Sequence, residues 1–227
     1  MKCVNIIVEG SSEETFVKDV LAKHFADANV FLSARRITTG WDRREQKPAK
    51  GGLLKYSKFR NDVLRWIKSD RDRPNTWYTS MLDLYAFPTD SESPYIPEIR
   101  EITDPYHRIE ALERAIAADI DKPNFIPYVQ LHEFEAFLLV EPDKLLEMYP
   151  DGQNGVNRLK KEINGIRPEE INESAQTAPS KRIIKYLPDY GGQKAQVGPM
   201  VAEAIGLTKL RQHCPHFSNW LRMLESL

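Results

Sequence analysis

The chain is poor in cysteine and in long apolar runs, and both shortages narrow what it can be. Its two cysteines, Cys3 and Cys214, stand near opposite ends with no neighbouring thiol at metal-ligand spacing. That leaves little support for a disulfide framework or a zinc site and favours buried or inert thiols. No segment reaches the roughly 18 uninterrupted apolar residues that a membrane helix needs. The apolar stretch after Met1-Lys2 ends at Val8, too short for a secretory leader, so a cytoplasmic protein with no membrane partner is expected. There is no P-loop to support ATP hydrolysis, no internal repeat and no low-complexity tract.

What the chain has is 227 residues, 41% hydrophobic and 29% charged. That is enough for one sizeable core, or a core plus a small appendage. A net charge of −1 argues against a uniformly basic nucleic-acid coat. The total hides a local excess, however. Residues 35–60 hold Arg35, Arg36, Arg43, Arg44, Lys47, Lys50, Lys55, Lys58 and Arg60 against only Asp42 and Glu45.

Residues 3–8 (CVNIIV) read as a buried strand bounded by Gly10. Ser11 as N-cap with Glu14 three residues later predicts a capping box. Phe16, Val17, Val20, Leu21, His24 and Phe25 then form one apolar helical face. A second strand is expected over residues 30–37, followed by a long, mobile loop through Gly40, Gly51 and Gly52. Phe59, Val63, Trp66 and Ile67 mark a helix ending near Asp70. Residues 77–84 form a third strand, Ile109, Leu112, Ile116 and Ile120 a third helix, and residues 125–131 a fourth strand, with a helix opening within residues 132–139. Strands alternating with helices predict an α/β fold, a Rossmann-like, mostly parallel four-stranded sheet flanked by helices, over residues 1–140. Residues 141–227 read as short helices broken by Pro and Gly, a helical C-terminal extension packed on the sheet.

In such a sheet, ligands bind beyond the carboxyl ends of the strands. Glu9 follows the first strand, Asp83 closes the third, and Glu133 and Glu135 follow the fourth. Carboxylates gathered there repel one another unless a cation neutralises them, and oxygen ligands suit Mg²⁺ or Mn²⁺. Glu13, four residues after Glu9, either points into the same crevice or simply favours a helix N-terminus. His132 either orients a ligating carboxylate or is a turn residue. The basic run, interleaved with Trp41, Tyr56 and Phe59, is either phosphate-facing or a solvated loop. Residues 177–182 (TAPSKR) look like a helix start with Pro near its first turn, where Lys181, Arg182 and free amides would hold a phosphate. An ordinary capped helix is the competing explanation.

At VEGSSEETF (residues 8–16), LDLYAFP (82–88), QLHEFEAFLL (130–139), PEEINESAQTAPSKR (168–182) and CPHFSNWL (214–221), the chain resembles a family of uncharacterised bacterial proteins placed among Toprim-like domains. Toprim domains occur in topoisomerases, primases and OLD-type nucleases. They carry a Glu after the first strand and an Asp-x-Asp after the third; Glu9 and Asp83 match, while Tyr85 stands where the second Asp is expected. OLD-type nucleases add a later acid, a part that Glu133 or Glu135 would play. The resemblance implies a Mg²⁺-dependent nuclease acting on DNA or RNA, set in phage defence or a mobile element, with an AAA- or ABC-type ATPase encoded nearby. On this expectation Glu9 and Asp83 are catalytic, and Glu9, Glu13, Asp83, Glu133 and Glu135 hold the metal. Arg35, Arg36, Lys55, Lys181 and Arg182 steer the nucleic acid, and a homodimer is admissible. The alternative is a non-catalytic Toprim-like subunit that binds nucleic acid or the ATPase and has lost its chemistry with the second Asp.

Overall fold

The computed structural model describes residues 2–42, 47–50, 53, 55–70, 74–85, 87–171 and 176–227, with backbone alone for 39–42 and 47–50. The chain divides into two compact units, the first running to Val129 and the second from Gln130 to Ser226.

The first unit is built on a parallel sheet. β1 (Lys2–Val8) lies between β2 (Val30–Arg36) and β5 (Thr76–Asp83), and β5 pairs in turn with the short β6 (Phe125–Ile126), giving the order β2-β1-β5-β6. β1 and β5 are buried along nearly their whole length because both faces of a central parallel strand are covered. The fourth strand is interrupted rather than continuous. Pro127 has no N–H for the ladder, and the next residue is tied sideways. Ser80 Oγ donates to the Tyr128 carbonyl at 2.9 Å and accepts from Tyr128 N at 3.0 Å. Pairing with β5 resumes at β7 (Val129–Gln130), where Val129 N donates to Glu113.

Helices flank this sheet. A continuous helical run comprises α1 (Ser11–Phe16), a π-helical turn at Val17–Leu21 and α2 (Ala22–Ala26). The π turn adds a residue to the repeat, so Phe25 rather than His24 follows Val20 into the core, and His24 is exposed. α3 (Tyr56–Ser69) buries Tyr56, Phe59, Val63 and Trp66. The short α4 (Pro97–Arg100) precedes α5 (Pro105–Ile120), which buries Ile109, Leu112, Ile116 and Ile120. The expected loop after β2 instead contains an antiparallel hairpin of β3 (Thr38–Asp42) and β4 (Lys47–Lys50).

The second unit is helical. Among its described residues no strand follows β7. Three 3₁₀ segments, Phe134–Val140, Pro142–Glu147 and Pro150–Gly152, lead to α6 (Gln153–Glu162). After a further turn at Pro168–Glu170 come α7 (Pro179–Tyr186), α8 (Tyr190–Ile205), α9 (Leu207–His213) and α10 (Pro215–Glu225). Its core gathers Phe137, Phe217 and Trp220, all fully buried, with the Phe137 and Phe217 rings 4.6 Å apart. No helix among the described residues is long and apolar enough to cross a membrane.

Candidate carboxylate site

The register of the sheet brings two of the expected acids together. Val8 pairs with Met81, and Glu9 N donates to the Met81 carbonyl at 3.2 Å, so the chain leaves β1 directly beside the end of β5. The Glu9 carboxylate spans the gap. Its Oε2 accepts from Asp83 N and its Oε1 from Leu53 N, both at 3.2 Å. Two backbone amides from separate segments thus orient one side chain. Asp83 is half-buried at the strand end, with Oδ1 shielded from solvent.

Glu13 sits one helical turn away and caps the helix. Its Oε2 accepts from Gly10 N at 2.8 Å, so the N-cap is Gly10 rather than Ser11, and the reach-back carboxylate is Glu13 rather than Glu14. A Cβ at position 10 would lie 2.9 Å from that oxygen, so a side chain there would displace the Glu13 carboxylate from its cap. Glu14 instead turns outward to Lys18 and to Arg36 Nε, at 2.7 and 2.8 Å. Arg36 is therefore held by a carboxylate, whereas Arg35 lies over the Trp66 ring, its guanidinium carbon 4.0 Å from the centroid. Lys55 is exposed at the start of α3. Of the remaining basic run, Arg43 and Arg44, and the side chains of Trp41, Lys47 and Lys50, lie outside the described residues.

Glu133 and Glu135 belong to the second unit. Glu133 accepts from Ser180 N at 2.8 Å and from Ser180 Oγ at 3.2 Å, which places a carboxylate at the first turn of α7. The anion expected at that helix start is thus a side chain of the protein itself. Lys181 is exposed. Arg182 is buried, giving Nε to the Thr177 carbonyl and Nη1 to Glu162, both at 2.7 Å. Burial pushes the Glu162 carboxyl upward, but hydrogen bonds from Lys185 and Tyr186 and the nearby Lys185 and Arg182 charges outweigh it and hold the group below its ordinary value. Glu135 is buried between the Tyr190 hydroxyl at 3.2 Å and Lys194 Nζ at 3.4 Å. His132 is buried with φ +67°, the left-handed conformation of a turn.

A structural carboxylate that the sequence reading missed is Glu169. Fully buried, it accepts from His216 N and Phe217 N, each at 3.0 Å, and so closes the N-terminus of α10. Its partners lie 47 and 48 positions away, and no local pattern marks it.

Residues 8–225 match the domain of unknown function DUF4276. The chain belongs to the DUF4276 family. No curated protein and no solved structure gives a significant match to it. In this DUF4276 chain no three His, Cys, Asp or Glu side chains converge as a metal-ligand set among the described residues. What joins Glu9 to Asp83 is the Asp83 backbone amide, and their carboxylate chemistry suits an ion that takes one or two carboxylates and completes its sphere with water and substrate phosphate, as Mg²⁺ does. It does not fit a closed zinc site.

Proposed function

We infer that the protein is a Mg²⁺- or Mn²⁺-dependent nuclease of Toprim type that hydrolyses phosphodiesters of DNA or RNA. The observation that carries this reading is the Glu9–Asp83 pair, drawn together at the carboxyl ends of two adjacent parallel strands by the bond from Asp83 N to Glu9 Oε2. The reading is supported by the sequence resemblance to Toprim domains, which implies that an acid after the first strand and one after the third serve the metal. Asp83 would hold the ion, which when bound supplies neutralisation of charge on a phosphodiester oxygen. Glu9, with its carboxylate fixed by two amides, takes a proton from the attacking water. Arg35 and Lys55, in the same unit, attract the phosphate backbone. A defence or mobile-element setting and an ATPase partner follow from the same resemblance.

The test is cleavage of single- and double-stranded DNA and RNA with Mg²⁺ or Mn²⁺ by the protein, Glu9→Gln and Asp83→Asn. Each variant should lose activity by at least about 10²-fold, the lower scale of general acid–base catalysis. Equal residual activity in all three proteins would sink the reading.

One observation favours a second reading, a non-catalytic subunit binding nucleic acid or an ATPase. Tyr85 stands where the Toprim pattern has an acid, and no third ligand joins the pair among the described residues. A thermal melt discriminates. On the nuclease reading Mg²⁺ raises Tm in the native protein and not in Asp83→Asn; no rise in either, with nucleic-acid binding retained, supports the subunit.

A further inference from the structure

A cavity of about 280 Å³ opens in the first unit beside the carboxyl ends of β1 and β2. It exists because α3 packs over β5 and β6, setting Trp66 against Tyr78 of β5 at 6.1 Å and Phe59 against Phe125 of β6 at 6.3 Å. The edge strand β2 is left incompletely covered on that face. Arg35, Arg36 and Thr38 from the strand side and Asp62, Arg65 and Trp66 from α3 line the space.

The charge there is unequal, because the guanidiniums of Arg35 and Arg65 face one carboxylate, while Arg36, next along the strand, gives its own guanidinium to Glu14. Asp62 is already engaged, since its Oδ2 accepts from Thr38 N at 2.7 Å and its Oδ1 lies 3.6 Å from Arg65, beyond a good hydrogen bond. Among the described residues no carboxylate pairs with Arg35. Stacking on Trp66 occupies the face of its guanidinium and leaves the in-plane N–H fork to donate, an arrangement suited to two oxygens of one phosphate. Ile37 N donates to the Val8 carbonyl at 3.0 Å, so the chain leaving β2 runs beside the residue that precedes Glu9.

We propose that this cavity is a phosphate-binding subsite that takes the phosphate of one nucleotide unit, gripped by Arg35 and Arg65 with Trp66 as the platform beneath Arg35. Its volume lies just below the roughly 300–1,000 Å³ of whole-ligand pockets, which suits a phosphate with part of its nucleotide and no more. As the anchor of a strand presented to Glu9 and Asp83, the subsite rests on the nuclease reading. The binding itself does not. The phosphate has two sources, a strand terminus or an internal phosphodiester.

The experiment measures binding in EDTA, where metal-dependent cleavage is silent. Fluorescence anisotropy follows a labelled single-stranded oligonucleotide bearing a 5′-phosphate and one bearing a 5′-hydroxyl, with thymidine 5′-monophosphate as competitor. Arg35→Lys, which keeps the charge and loses the planar fork, and Arg65→Gln, at a side chain 72% exposed and safe for folding, should each weaken binding about tenfold. Arg65→Gln should also lower the slope of log K against log salt by about 1. Arg114→Gln, on α5, should change nothing. Preference for the 5′-phosphorylated strand assigns the subsite to a terminus; equal binding of both strands, still sensitive to Arg35 and Arg65, assigns it to an internal phosphate. Affinities unchanged in Arg35→Lys and Arg65→Gln overturn the subsite whatever the cleavage assay shows. Weakened binding in both, with no cleavage by the native protein, overturns only the nuclease reading.

Discussion

Glu133 and Glu135 stand two positions apart, yet their surroundings ask different things of them. Glu133 receives an amide and a hydroxyl from Ser180 and works as an anion at a helix start. Glu135 is buried, and that burial pushes its carboxyl upward; the Lys194 charge pulls it down, and the Glu133 charge adds to the rise. An acid whose folded value exceeds its unfolded value is most stabilising while protonated. Its contribution is complete below the ordinary carboxylate range and is lost as pH rises through the raised folded value. Glu135→Gln should therefore gain on the native protein in Tm as pH rises from 4.5, the ordinary value, towards neutrality. Melts across that range check it, and parallel curves would refute the assignment. The Tyr190 hydroxyl that faces Glu135 is itself pushed well above its usual value, first by burial and then by the Glu135 charge, so it stays a neutral donor.

At the scale of elements, two helices of the second unit take their N-terminal partners from distant glutamates, α7 from Glu133 and α10 from Glu169. Each carboxylate satisfies donors that the helix cannot pair internally. Removing it leaves buried N–H groups without an acceptor. Glu133→Ala and Glu169→Ala should each cost about 1–3 kcal/mol, read from urea denaturation, with Glu169→Gln losing less because one acceptor oxygen survives. A loss below about 0.5 kcal/mol in both alanine variants would show water replacing the caps. Elements also differ in how plainly the sequence announces them. β1 was visible as an apolar run, β5 as a strand after a Pro-bearing turn, and α3 and α5 as periodic faces. The β3–β4 hairpin was hidden because its residues are basic and polar, with Pro48 inside β4, and α9 because it is short. The break between β6 and β7 is written in Pro127, but the Ser80 hydroxyl that bridges it becomes apparent only when the strands are side by side.

For the molecule as a whole, the α/β architecture with a helical C-terminal part was legible, because strand–helix alternation and its loss are long patterns that tolerate errors at single residues. The Glu9–Asp83 pair was legible too, since strand ends in a parallel sheet converge by topology. What could not be read was which charges would be spent internally. Arg36 on Glu14, Arg182 on Glu162 and Glu133 on α7 depend on partners set by packing, and so does the arginine-lined cavity, which needs α3 to pack over β5 and β6 and leave β2 partly uncovered. The two long-range caps carry one more consequence, for the order in which the second unit assembles. α7 has eight residues and α10 eleven, both shorter than an isolated helix needs to persist in water. Neither can be completed until chain segments almost fifty residues apart have met. Amide hydrogen exchange at Ser180, His216 and Phe217 should therefore proceed through opening of the whole unit, at rates close to its slowest core amides, instead of through the fraying ordinary for a helix end.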